Sequence, residues 1–214
     1  MINGCIFDLD GVICDTAKYH YLAWKSLADE LGIPFNEQDN ERLKGVSRME
    51  SLNILLSLGK KQYSDQEKRL FAKLKHDRYV NYIKGMKQNE TLPGVVPFLK
   101  SLRNQGYRIA LGSVSKNAPT ILERLQIAPL FHAVIDGNTV THAKPDPEVF
   151  LAGARAFGTA PKNCVVFEDA VAGVQAAHNA GMKCVGVGSP CILAEADRVI
   201  SGFSGLSPDF LRNF

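Results

Sequence analysis

Two aspartates, Asp8 and Asp10, lie in the segment Cys5-Ile-Phe-Asp-Leu-Asp-Gly-Val-Ile13. The apolar run before them reads as a strand, and residues two apart on an extended chain share a face, so both carboxylates aim at one spot. Two like charges at one spot call for a cation or an electrophilic phosphorus atom between them. Gly11 lets the chain turn away immediately afterwards. The chemistry this pattern suits is attack by one carboxylate on a phosphoryl group, with the other moving a proton.

Further polar groups follow later apolar runs. Ser113 opens Ser113-Val114-Ser115-Lys116-Asn117, Lys144 stands in Ala143-Lys144-Pro145-Asp146-Pro147, and Glu168-Asp169 closes another run. In open α/β sheets ligands bind at the carboxyl ends of the strands, so these residues are expected to converge with Asp8 and Asp10. A carboxylate approaching a phosphate dianion needs a bridging divalent cation, and magnesium prefers oxygen ligands. Asp8 and Asp169 are expected to ligate it, Glu168 directly or through water, with Asp10 in the same metal group. Ser113 and Lys144 would hold the phosphoryl oxygens. Asp10 would give a proton to the leaving oxygen and take it back. Structural roles compete: Ser115 and Asp169 are both placed to cap helices. Asp146 before Pro147 reads as a helix start and is assigned no chemistry.

The elements that must position these groups alternate. Apolar or β-branched runs at Gly4–Phe7, Arg108–Leu111, Ala133–Ile135, Cys164–Phe167 and Cys184–Val187 are mostly separated by helical patterns. That alternation, with strands apolar on both faces, predicts an α/β fold with a Rossmann-like parallel sheet. The gap after the first run is too long for one crossover and carries helical patterns of its own. They span Thr16–Leu31, Asn36–Leu43, Met49–Leu58 and Asp65–Ile83, the last preceded by Ser64 and Glu67 in capping-box spacing. Residues 15–87 are therefore expected to form an α-helical cap inserted into a core of residues 1–14 and 88–214. The cap holds 14 Lys/Arg against 10 Asp/Glu, whereas the core holds 11 against 12. A cationic cap over an acidic core suits a small phosphorylated molecule.

Composition narrows the partners. The formal net charge of +3 comes with no basic run, which argues against nucleic acid. Five cysteines form no CxxC pair and read as reduced thiols. No leader and no bilayer-length apolar stretch is visible, so a cytoplasmic protein without membrane partners is expected. No GxxxxGK[ST] occurs, and no GxGxxG follows the first strand.

In order, Asp8-Leu-Asp10-Gly11, Ser113, Lys144 and Glu168-Asp169 match the four motifs of the haloacid dehalogenase superfamily, and the chain resembles that family over its whole length. The resemblance implies an aspartyl-phosphate on Asp8, acid/base work by Asp10 and one magnesium ion per site. In the cap, Asp15–His20 (with Thr16), Ala23-Trp24, Leu43-Lys44-Gly45-Val46-Ser47-Arg48 and Ser51 resemble the family's phosphomutase branch. Ser113–Asn117, including Val114, fits the same branch. That resemblance implies interconversion of β-D-glucose 1-phosphate and glucose 6-phosphate, with β-glucose 1,6-bisphosphate as primer and intermediate. A monomer is expected. A mutase must park a second phosphate, and Arg48, always charged and fork-shaped, is the natural clamp. Gly45 would let the cap backbone approach the sugar, flanked by Lys44 and Ser51. By resemblance, Ser115, Lys116 and Asn117 complete the distal grip, and His20 and Lys75 help position Asp10 and link cap closure to proton transfer. Alone, His20 and Trp24 would read as packing, Arg48 as an exposed helix arginine and Gly45 as a helix C-cap. A phosphatase of the same fold, or a mutase for another sugar phosphate, remains an alternative. A phospho-signalling receiver shares the acids and the lysine but has no use for such a cap. Cys14 and His142 receive no role.

Overall fold

The computed structural model describes every residue except Lys44, Gly45 and Val46, and all but the side chain of Asn213, so the substrate contacts expected of those first three lie outside the described residues. The chain divides into two compact units, Met1–Asp15 with Met86–Phe214, and Thr16–Gly85.

The first unit is a parallel sheet. Its strands are β1 (Gly4–Phe7), β2 (Arg108–Gly112), β3 (Ala133–Ile135), β4 (Cys164–Glu168), β5 (Lys183–Val187) and β6 (Arg198–Ile200). They lie in the order β3-β2-β1-β4-β5-β6. The direction of progression reverses at β1, which pairs with both β2 and β4, and such a switch point opens a crevice at the strands' carboxyl ends. Every residue of β1 and β4 is buried, as continuous apolar runs in a covered sheet must be. Five strands stand where the apolar runs predict them. The sixth escapes sequence reading because it is a three-residue edge strand that opens on an exposed arginine.

Both faces of the sheet are packed. On one, Phe7 and Phe167 occupy paired positions and their rings stack at 4.4 Å, with Phe98 and Phe203 against them. Each fully buried ring contributes about 2–3 kcal/mol, so this cluster fixes the two central strands beside each other. On the other, Ile6 and Val166 pack on Val149 and Phe150 of α7 (Glu148–Ala156) and Val174 of α8 (Val171–Asn179). The helix α5 (Val95–Asn104) precedes β2, and α6 (Ala118–Arg124) follows it. All five cysteines are free.

The second unit is helical: α1 (Ala17–Leu31), α2 (Glu37–Glu41), α3 (Arg48–Ser57) and α4 (Asp65–Lys84). The Ser64–Glu67 capping box forms as its spacing predicts, opening α4. Helices α1 and α4 run antiparallel, for Tyr19 meets Tyr82, His20 meets Tyr79, and Trp24 meets Lys75. Trp24 and Leu27 join Leu52, Leu55 and Ala72 in the unit's own apolar core. Among the described residues no helix is long and apolar enough to cross a membrane.

Candidate active site

The switch point gathers an acid–lysine centre. Asp8 follows β1 and donates its backbone N–H to the Phe167 carbonyl, which places it beside the end of β4, where Glu168 stands. The Lys144 ammonium, reaching in from beyond β3, donates to Asp8 Oδ1 at 2.5 Å and to Glu168 Oε2 at 2.7 Å. Asp8, Glu168 and Asp169 bring one carboxylate oxygen each within 4.8 Å of one another. Two glycines make this crowding feasible. Gly11 has φ of 71°, and a Cβ there would lie 1.9 Å from Asp169 Oδ2; one on Gly173 would lie 2.0 Å from Glu168 Cδ. Gly173 carries no sequence signal of its own, because its partner is supplied by the fold.

Electrostatics mark the same place. Burial and then the Asp8 charge raise the Glu168 carboxyl well above the carboxylate range, against the pull of Lys144. Burial, Asp8 and Asp10 push Asp169 up to about 6. For Lys144, burial favours the neutral amine, but Asp8 and Glu168 outweigh it and hold the pKa above its ordinary value. One lysine thus faces an excess of carboxylate, and three hard oxygen donors at this separation fit a divalent cation such as magnesium. The Asp10 side chain is not one of the three whose oxygens gather, although it too was expected among the metal ligands. Cys14 lies buried nearby, and burial with Asp10, Asp15, Asp8 and Glu90 raises its thiol far above the usual range. It is a neutral packing group.

The Ser113 loop is built to hold donors in place. Ser113 is buried, donates its N–H to the Ile135 carbonyl, and accepts the Ser115 N–H on Oγ at 3.1 Å, leaving its hydroxyl proton to donate. Ser115 in turn accepts the Asn117 N–H at 3.3 Å, which closes a turn ahead of α6; Asn117 is the N-cap of that helix, so Ser115 does not take the capping role its position suggests. Val114 and Lys116 are exposed and Asn117 half-buried. Two residues that sequence reading passed over brace this loop. The buried Asp136 accepts both the backbone N–H and the Nδ2 of Asn138, which also donates Nδ2 to the Lys116 carbonyl at 3.1 Å. Asp169 caps no helix; Ala170 is the N-cap of α8, and Glu168 Oε1 accepts its N–H.

In the helical unit, Lys75 is 3% exposed. Its Nζ lies 2.8 Å from His20 Nδ1 and 4.6 Å from the centre of the Trp24 ring. Burial and the Arg48 charge lower its pKa to about 7. His20 keeps an exposed edge, but enclosure of its ring against Tyr79, then the charges of Lys75 and Arg48, keep it neutral, near 3. The helical stripe carrying His20 and Trp24 therefore houses a lysine as well as apolar packing. Arg48 is exposed and forms no salt bridge among the described residues, although its charge also acts on the Asp77 carboxylate. Ser47 accepts the Glu50 N–H and caps α3, while Ser51 is buried with Oγ donating to the Leu43 carbonyl. Thr16 is buried and receives the Tyr79 hydroxyl.

This fold and this centre define an enzyme class, and a family model confirms it: residues 2–181 match haloacid dehalogenase-like hydrolase. The chain belongs to that family. It is 44% identical to the β-phosphoglucomutase of Bacillus subtilis, over 98% of this chain and 94% of that protein. A crystal structure of β-phosphoglucomutase from Clostridium difficile is 41% identical, with a TM-score of 0.83, covering 100% of this chain and 96% of that one. A phosphorylated carbohydrates phosphatase of Thermotoga maritima is 31% identical, over 85% of this chain and 83% of that protein.

Proposed function

We propose that this chain is a magnesium-dependent phosphomutase. It interconverts β-D-glucose 1-phosphate and glucose 6-phosphate through β-glucose 1,6-bisphosphate. The observation that carries the reading is the likeness to β-phosphoglucomutase across nearly the whole chain. It is supported by the chain's two separate cationic features, Lys144 among the acids and the exposed Arg48, which forms no salt bridge among the described residues. A monophosphate needs one such feature; a bisphosphate needs both.

Asp8 is the nucleophile. Once phosphorylated, it transfers the phosphoryl group to the sugar's 6-hydroxyl while Asp10 takes the hydroxyl proton. The bisphosphate then presents its other end: Asp8 takes the C1 phosphoryl group, the C1–O–P bond breaks at phosphorus, and Asp10 returns the proton to the leaving oxygen. Lys144 and the Ser113 hydroxyl hold the phosphoryl oxygens during transfer. Asp8, Asp169 and Glu168 would hold the magnesium ion, which when bound offsets the charge between carboxylate and phosphate. Arg48, with Ser115, Lys116 and Asn117, holds the phosphate that is not reacting. Lys75 and His20 link sugar binding to the alignment of Asp10, which keeps the aspartyl-phosphate from water until sugar is bound.

One observation favours a phosphatase instead, namely the 31% identity to a carbohydrate phosphatase. Product analysis separates the two. With β-D-glucose 1-phosphate, magnesium and a trace of bisphosphate, a mutase yields glucose 6-phosphate with little free phosphate. Free phosphate without the isomer would replace this reading with the hydrolase.

A further inference from the structure

Lys144 must bring its amine to Asp8 and Glu168 from the end of an exposed stretch, Thr141–Ala143, that contains no helix or strand. One side chain ties that stretch down. Glu148, in the first turn of α7, accepts the backbone N–H groups of Thr141 at 3.0 Å and of His142 at 2.8 Å on Oε2. The Thr141 hydroxyl lies 3.1 Å from the same oxygen, and His142 Nδ1 faces it at 3.0 Å. Beyond Lys144, Asp146 donates its N–H to the Ala143 carbonyl and accepts the Glu148 N–H on Oδ1. Asn179 of α8 donates to the Pro145 carbonyl at 3.0 Å. The segment is thus held on both sides of Lys144.

We propose that Glu148 is a positioning residue for Lys144, folding Thr141–Ala143 back onto the start of α7 and so setting where the ammonium stands. The inference rests on the reading of Lys144 as the group that holds the transferring phosphoryl. His142, Asp146 and Glu148 also bring donor atoms within 4.8 Å of one another. Their carboxylates, however, are already occupied by protein N–H and O–H donors, the arrangement of a tether. Those donors, the His142 and Thr141 N–H groups foremost, hold the Glu148 carboxyl near 2, so the tether stays charged across the working pH range. His142 finds its place here: it lends the tether a backbone donor and a ring nitrogen.

The test uses the full chain with Glu148→Ala and Glu148→Gln, in two assays and with thermal unfolding. One assay is isomerisation of β-D-glucose 1-phosphate with bisphosphate primer. The other is hydrolysis of p-nitrophenyl phosphate, which calls on Asp8 and Lys144 but on no second phosphate site. Misplacing a catalytic group by about 1 Å can cost about a hundredfold, so Glu148→Ala is expected to lower kcat roughly ten- to a hundredfold in both assays. KM should stay within about threefold, the signature of lost transition-state contact. Glu148→Gln keeps an oxygen able to take both N–H groups and should recover most of the loss. An unchanged kcat in Glu148→Ala overturns the proposal, as does a loss that Gln does not recover. If the wild type hydrolyses but does not isomerise, the mutase reading falls, and Glu148 is decided on hydrolysis alone.

Discussion

Lys75→Met tests whether the helical unit carries a buried cation at the expense of its own stability. Lys75 is 3% exposed, lies over Trp24 and has no carboxylate partner among the described residues. Its pKa falls from 10.5 to about 7, chiefly through burial and secondarily through Arg48. That difference, at about 1.4 kcal/mol per pH unit, sets roughly 5 kcal/mol against the charged form in the folded unit. The unfolded chain keeps the proton up to about pH 10.5, whereas the folded chain releases it near pH 7. Between those values the unfolded state binds more protons, so stability rises with pH, by about 1.5 kcal/mol from pH 7 to 8.5 on this group alone.

Methionine has a similar length and no charge. Lys75→Met should therefore stabilise the unit at pH 7 by about 1–3 kcal/mol, less than the full cost because the contacts to Trp24 and His20 are lost. It should also remove Lys75's contribution to the pH slope. Trp24 is the chain's single tryptophan and touches Lys75, so its fluorescence during urea unfolding reads the unit directly. Other groups titrating in this range cancel in the difference between wild type and variant. Sugar-phosphate turnover should fall while stability rises, as it does where a strained group serves function. Equal pH slopes in the two proteins, or a less stable variant at pH 7, would refute the reasoning.

Asp8→Asn should abolish turnover and prevent acid-stable retention of phosphate from a small acyl phosphate donor, checked by mass spectrometry of the intact chain. Arg48→Ala should slow isomerisation at least about tenfold more than p-nitrophenyl phosphate hydrolysis, because a charged, fork-shaped phosphate contact matters only to the second phosphate; equal losses would remove Arg48 from that role. Gly11→Ala would drive a Cβ into Asp169 Oδ2, and displaced ligand support typically costs about 10–100-fold in metal affinity, so the magnesium needed for half-maximal activity should rise by that order. Chelation with EDTA should abolish turnover, and magnesium should restore it; activity that persists after exhaustive chelation would exclude the carboxylate group as a metal site.

Much of the site is legible along the chain because each chemical group ends a local pattern. Asp8 and Asp10 follow an apolar run at strand spacing, Ser113 follows another, and Glu168 closes a third, so period and polarity announce them. The helices of the second unit are likewise local, down to the Ser64–Glu67 box, since capping is settled within four residues. What the sequence determined by itself is therefore the identity of the acids, the lysine and the serine, and the alternation that makes a parallel sheet.

The tertiary structure decided which of them meet. Lys144 lies 136 positions from Asp8, and only the strand order, with β1 beside β4, brings Asp8, Glu168 and the lysine to one edge. Glycine under Glu168, a buried lysine without a carboxylate among the described residues, and a glutamate tethering the Lys144 segment leave no periodic trace. Nor does β6, too short and too exposed to register. Spacing along a chain encodes which side of a strand or helix a residue occupies; packing between elements far apart in sequence sets the distances, the desolvation and hence the charges.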